Sequence, residues 1–229
     1  MAIITVARQI GSGGDVVSRK LSERLECELV DRRLVEEIAS ITDTTAEEVE
    51  QLDEKGEGRV KFFLRRLLVP EMGQGGFPLA SAAYFPEFGL EFPYISESGA
   101  SGETTYLDRG AYLLLITTLV QDFGESEKAV IVGRASQVIL ADHPRALHIK
   151  IVAPFKERCE RIMESREMDF DSAKELVEQH DKWRKLYLHN YHNANWDNPL
   201  LYHLTINTSK VAIEDAVDLT VQYASRLSK

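Results

Sequence analysis

A β-branched run, Ile3-Ile4-Thr5-Val6, leads through Ala7-Arg8-Gln9-Ile10 into Gly11-Ser12-Gly13-Gly14, and a helical pattern follows at once. Nothing else in the chain restricts the fold as tightly. Glycines let backbone N–H groups wrap an anion, and the helix that follows points its positive end at it. The plainer reading is a tight strand–helix turn. The position of the glycines after the first buried strand favours a phosphate-binding loop.

The loop departs from G-x-x-x-x-G-K-[ST] in three places, with Gln9 for the first glycine, Asp15 for the lysine and Val16 for the hydroxyl residue. A cation about 4 Å from a phosphate charge gains about 4 kcal/mol at an effective dielectric of about 20, and a carboxylate loses a comparable amount. One reading makes Asp15 an ordinary first-turn acid paired with Arg19 one turn on. Otherwise a compensating cation has to come from Arg8, Arg19 or Lys20, or from a metal bridging carboxylate and phosphate.

Beyond the loop, Val16, Val17, Leu21 and Leu25 recur at helical spacing, and Glu28 to Val30 reads as a second strand ending at Asp31. Helices are expected over 33–41, behind a capping box at Asp43–Glu47, and over a basic amphipathic stretch at 60–69. The 70–104 segment changes character, with Gly, Pro, Ser and scattered aromatics and no clear period. It is expected to be a long functional loop that docks on its own domain or on a partner subunit, making a homo-oligomer.

Regularity returns with a helix near 108–123, a strand at Ala129–Val132 and a helix through Leu140. Further on come a strand at Leu147–Val152, helices at 154–167 and 171–190, a strand at Leu204–Asn207 and a last helix over 212–227. Pro154 occupies the favoured first-turn position of its helix. Strands alternating with helices predict an α/β fold with a parallel sheet covered on both faces.

Charge and cysteine usage narrow the function. A formal net charge of −10 over 229 residues argues against a general nucleic-acid binder. Cys27 and Cys159 fit neither a disulfide scaffold nor a zinc site, and both read as buried reduced thiols in helical stretches. No apolar run reaches the length of about 20 residues that a membrane span needs. The first residues lack the layout of a signal peptide, so a cytoplasmic protein is expected. His189 and His192 have no Cys or carboxylate at ligand spacing, so no protein-held metal is expected.

Two further groups carry chemistry. Asp31-Arg32-Arg33 and Gly133-Arg134 close strands at the carboxyl edge of the sheet, where open α/β folds place their ligands. The planar fork of arginine suits phosphate. Arg158, Arg161 and Arg166, with Lys182, Arg184 and Lys185, lie on two successive helices. They are either solvated helix faces or a lid that closes cations over transferring phosphates.

Together these segments resemble the cytidylate kinase-like family of P-loop nucleoside monophosphate kinases. The matching pieces are Ile3–Gly14, Leu29–Asp31, Val130–Ala135, Ile149–Arg166, Asp181–Tyr191 and Asn195–Pro199 leading into Leu204–Thr208. The resemblance implies a five-stranded parallel sheet flanked by helices, with a helical substrate-binding insertion (43–107) and a lid (154–192). It implies phosphoryl transfer from ATP with Mg2+ to CMP, dCMP or a related small acceptor. Under it, Gly11, Ser12, Gly13, Gly14 and Asp15 meet the donor phosphates, and Arg8, Asp31, Arg32 and Arg134 fall around the acceptor. Arg158, Arg161 and Arg184 act as catalytic lid cations. Asp15 and Ala135, where the family carries a basic residue and an aspartate, instead fit a nucleotide-binding regulator that has lost turnover.

Overall fold

The computed structural model describes residues 3–31, 109–125 and 128–227. Arg32, the helices expected over 33–41 and 60–69, the capping box at 43–47 and the aromatic 70–104 segment lie outside the described residues, and so does the 43–107 insertion. The chain divides into two units, Met1–Leu34 with Ile116–Lys229, and Val35–Leu115. The sheet and every site residue discussed below belong to the first.

Five strands form one sheet: β1 (Ile3–Arg8), β2 (Glu28–Val30), β3 (Ala129–Val132), β4 (Ala146–Val152) and β5 (Leu204–Asn207). Their order is β2-β3-β1-β4-β5, and every pair is parallel. The five-stranded parallel sheet that the residue pattern and the resemblance predict is therefore the fold. β1 lies at its centre because its run of β-branched residues is buried on both faces.

The helices are α1 (Gly14–Leu25), α2 (Arg109–Glu125), α3 (Ser136–Ile139), α4 (Phe155–Arg166), α5 (Phe170–His192) and α6 (Ile213–Leu227). Pro154 serves as the N-cap of α4 instead of its first helical residue. Val16 is 40% exposed, so Val17 and Leu21 carry the buried stripe of α1. Cys27 falls in the link between α1 and β2, outside any helix, whereas Cys159 is buried within α4. Both cysteines are free thiols.

The period-two alternation of β1 and β4 sorts their side chains onto two faces. Ile4, Val6, Leu147, Ile149 and Ile151 join Val17, Leu21, Val217 and Ala224 in one apolar core under α1 and α6. Thr5, His148 and Lys150 alternate with them and point to the other face. There Ala135, Leu188 and Trp196 form a smaller cluster. A third cluster joins Ile10 of the glycine loop to Cys159 and Ile162 of α4 and to Ala173 and Val177 of α5.

Candidate active site

The glycine loop is shaped by what lies behind it. Gly11 and Gly13 have φ of 73° and 78°, a left-handed backbone that glycine adopts without a Cβ penalty. At Gly11 an added Cβ would also come within 2.6 Å of the Arg158 carbonyl oxygen. Each loop carbonyl from residue 9 to 13 receives a donor. Ser12 Oγ donates to Gln9 O at 2.7 Å, Arg158 to Ile10 O at 3.3 Å and Arg161 to Gly11 O at 3.4 Å. Thr208 Oγ1 donates to Ser12 O at 2.6 Å, and the amide of Val17 bonds Gly13 O at 3.0 Å. Gln9, one of the departures from the loop pattern, accepts the Ala153 amide at 3.1 Å and so pins the loop to the end of β4. With its carbonyls held from behind, the loop can turn N–H groups toward its mouth. The N-cap of α1, Gly13, makes no side-chain hydrogen bond to the helix start.

Arg158 and Arg161 are parts of this buttress. Arg158 is buried, donates to Ala153 O and meets both oxygens of Asp181 at 3.1 and 2.7 Å. This two-pronged bond ties α4 to α5. Arg161 bonds Thr208 and pairs with Glu157 at 3.3 Å. Asp181 and Thr208 are functional neighbours that the reading of side-chain chemistry passed over. Their signal was faint, a helix-face acid and a threonine just past a strand.

Arg8, Asp15, Asp31 and Gly133 meet at the mouth. Arg8 is the last residue of β1. Its Nε donates to Asp15 at 2.6 Å, and a terminal nitrogen lies 3.6 Å from Asp31. Asp15 thus pairs with Arg8, not with Arg19. The start of α1 at Gly14 turns position 15 back toward the strand end, while Arg19 is exposed. Lys20 is spent on Glu214 of α6 at 2.6 Å. Gly133, Arg134 and Ala135 are left-handed in succession, with φ of 73°, 55° and 54°. For Arg134 and Ala135 this backbone costs on the order of 1 kcal/mol each.

Burial holds the half-buried His180 down to about 4, helped by the charges of Arg184, Arg166 and Arg8 and opposed by Asp181. Lys182 and Lys185 line a cleft of about 380 Å³ with Phe155, Glu178, Asp181 and Leu186.

Lys150 is a buried cation of the sheet that sequence reading missed. It is buried on β4, 3.8 Å over the Trp196 ring, and donates to Trp196 O at 2.8 Å and Asp197 at 3.2 Å. Burial pushes its ammonium down, and the Asp197 carboxylate opposes this. Asp197 also meets Lys185 of α5 at 2.8 Å, which links the sheet to that helix. Burial alone would raise the Asp197 carboxyl, yet hydrogen bonds from Lys185 and Lys150 hold it below its usual range.

No group of three His, Cys, Asp or Glu that could hold a metal occurs among the described residues, and no helix among them is long and apolar enough to cross a membrane.

Comparison with known proteins agrees with this architecture. A model of the cytidylate kinase-like family matches residues 3–210. The crystal structure of an uncharacterized protein from Eubacterium ventriosum superposes with a TM-score of 0.64 at 20% identity, covering 98% of this chain and 99% of that one. A shikimate kinase from Acinetobacter baumannii aligns with a TM-score of 0.48 at 13% identity over 97% and 92% of the two chains. A uronate isomerase from Corynebacterium glutamicum is 32% identical over 101 residues. That match takes in 44% of this chain and spans about a fifth of the curated relative.

Proposed function

The chain belongs to the cytidylate kinase-like family, and on that premise we propose that it transfers the γ-phosphoryl group of ATP to CMP, dCMP or a related small phosphate acceptor. An acceptor phosphate oxygen forms the new P–O bond while the bond to the β–γ bridging oxygen breaks, leaving ADP and a nucleoside diphosphate. The observation that carries this reading is the meeting of the glycine loop, Asp31 and Gly133-Arg134 at one edge of a parallel sheet. Phosphoryl transfer needs little covalent help from the protein beyond positioning and charge. The N–H groups of Gly11, Gly13 and Gly14 and the start of α1 hold the donor, and Asp31 and Arg134 face the acceptor. Arg184 of α5 is the remaining lid cation that the family resemblance assigns to the transfer. Arg158 and Arg161 keep the loop in shape, as positioning residues.

Mg2+ would accompany ATP as its partner in solution. Among the described residues no dedicated site for it is formed. Val16 offers no hydroxyl, and the carboxylates of Asp15 and Asp31 both face Arg8.

The reading is tested by incubating the protein with ATP, magnesium and a panel of nucleoside monophosphates. Diphosphate from a cytidine acceptor is the expected product, and its absence with every acceptor overturns the reading. Val16 and Ala135 favour a second reading, a nucleotide-binding regulator without turnover. Its mark is a rise in melting temperature with ATP, GTP or CMP and no ATP consumption.

A further inference from the structure

We infer that Arg8 supplies the positive charge that phosphate-binding loops usually draw from a lysine at the position now held by Asp15, and that Asp15 is its displaceable partner. The inference rests on the phosphotransferase reading and names the group that meets the transferring phosphate.

Three observations carry it. The first is placement. Arg8 is fixed by its pairing with Ile151 at the end of β1, and its stem crosses Gly14 so closely that an added Cβ there would lie 2.5 Å from Arg8 Cβ. A terminal nitrogen reaches to within 3.1 Å of the Cβ position of Gly133. The guanidinium thus spans the donor loop and the strand end on the acceptor side. It also has the planar set of donors that suits phosphate.

The second is elimination. The sequence offers Arg8, Arg19 and Lys20 as substitutes for the missing lysine. Lys20 reaches across to Glu214 of α6, and Arg19 is exposed on α1; neither makes a contact with Arg8, Asp31 or Gly133, where the two sides of the mouth meet. Only Arg8 lies at the mouth.

The third is the asymmetry of its ion pair. The Arg8 side chain is 18% exposed, and that of Asp15 is 63% exposed. The arginine is walled in, while the carboxylate can swing into solvent at little cost. A multiply charged phosphate chain therefore takes over the bond that a single carboxylate holds in its absence.

The test is calorimetric titration of the full chain with ATP in magnesium buffer, using wild type, Arg8→Met, Arg8→Lys and Asp15→Asn. Methionine keeps the stem over Gly14 and removes the charge. It should weaken ATP binding about tenfold or more, while lysine, which keeps the charge but not the planar fork, should recover only part of that loss. Asp15→Asn should tighten binding about threefold or more, because it removes both the competitor and a like charge. Melting temperatures without nucleotide identify folded variants. Should Arg8→Met fail to fold, Arg8→Lys and Asp15→Asn carry the test. Unchanged affinity in folded Arg8→Met, or weaker or unchanged affinity in Asp15→Asn, overturns the role of Arg8 alone. A wild-type protein that binds neither ATP, GTP nor CTP overturns the phosphotransferase reading as well.

Discussion

Ile149 and Lys150 are consecutive on β4, yet they face two differently built halves of the same domain. Ile149 enters the apolar core under α1 and α6. Lys150 enters a face that carries Thr5, His148, Trp196, Tyr202 and Asp197. The first face holds the sheet together by burial. The second ties the strand ends to α5 through directed bonds, and Tyr202 adds one to the Trp196 carbonyl at 2.8 Å. Apolar burial and directed polar bonds thus predominate on opposite sides of one sheet, so substitutions on the two sides should behave differently.

The largest expected effect is on the apolar side. Ile149 is fully buried among close-packed side chains, and Ile149→Ala removes apolar surface and leaves a cavity. The cost should be about 4 kcal/mol, visible in urea unfolding and the same at pH 5 and pH 7. A cost that rises on acidification would mean that the two faces are not separable.

That alternation was legible in the sequence, because Leu147 to Val152 reads apolar, polar, apolar, polar. The strand boundaries at Ala129–Val132 were also legible, since a buried β-branched run leaves few alternatives, and those at Leu204–Asn207 were read as well although only Ile206 of that strand is buried. Partners across the fold were not. The helical i, i+4 rule assigns Asp15 to Arg19, but Arg8 is nearer once the loop folds back on β1. Arg158 and Arg161 read as lid cations because charge on a helix says nothing about what lies behind it. They turn inward because Ile10, Gly11 and Asp181 present oxygens there. Trp196 and Asp197 are some 46 residues from Lys150, and no local pattern announces their contact.

A smaller effect sharpens the contrast from the polar side through pH. Burial above all, with the charges of His203 and His143, holds His148 down to about 4, against about 6.5 when unfolded. Burial does the same to His192, and burial with nearby arginines does it to His180. Between these values the unfolded chain binds more protons. Stability is therefore full above about pH 6.5 and is lost as pH falls toward 4, by about 1.4 kcal/mol per unit for each histidine. His148 alone accounts for about 3 kcal/mol over that window. His148→Gln should lower the slope of stability against pH by about a third. An unchanged slope would show that His148 is already protonated or solvated in the folded protein.

The smallest effect separates a buried charge from an indispensable one. Removing one member of a buried ion pair commonly costs about 3–5 kcal/mol, because the other is stranded. Lys150→Met strands nothing. Asp197 keeps Lys185 at 2.8 Å and is half in solvent, and the Trp196 carbonyl keeps the Tyr202 hydroxyl. Methionine also fills the same length against the Trp196 ring. The cost in urea unfolding should be about 1 kcal/mol with an unchanged denaturant slope. A loss above about 3 kcal/mol would mean that Asp197 depends on Lys150 for its burial, and the polar face would then bear stability as well as geometry.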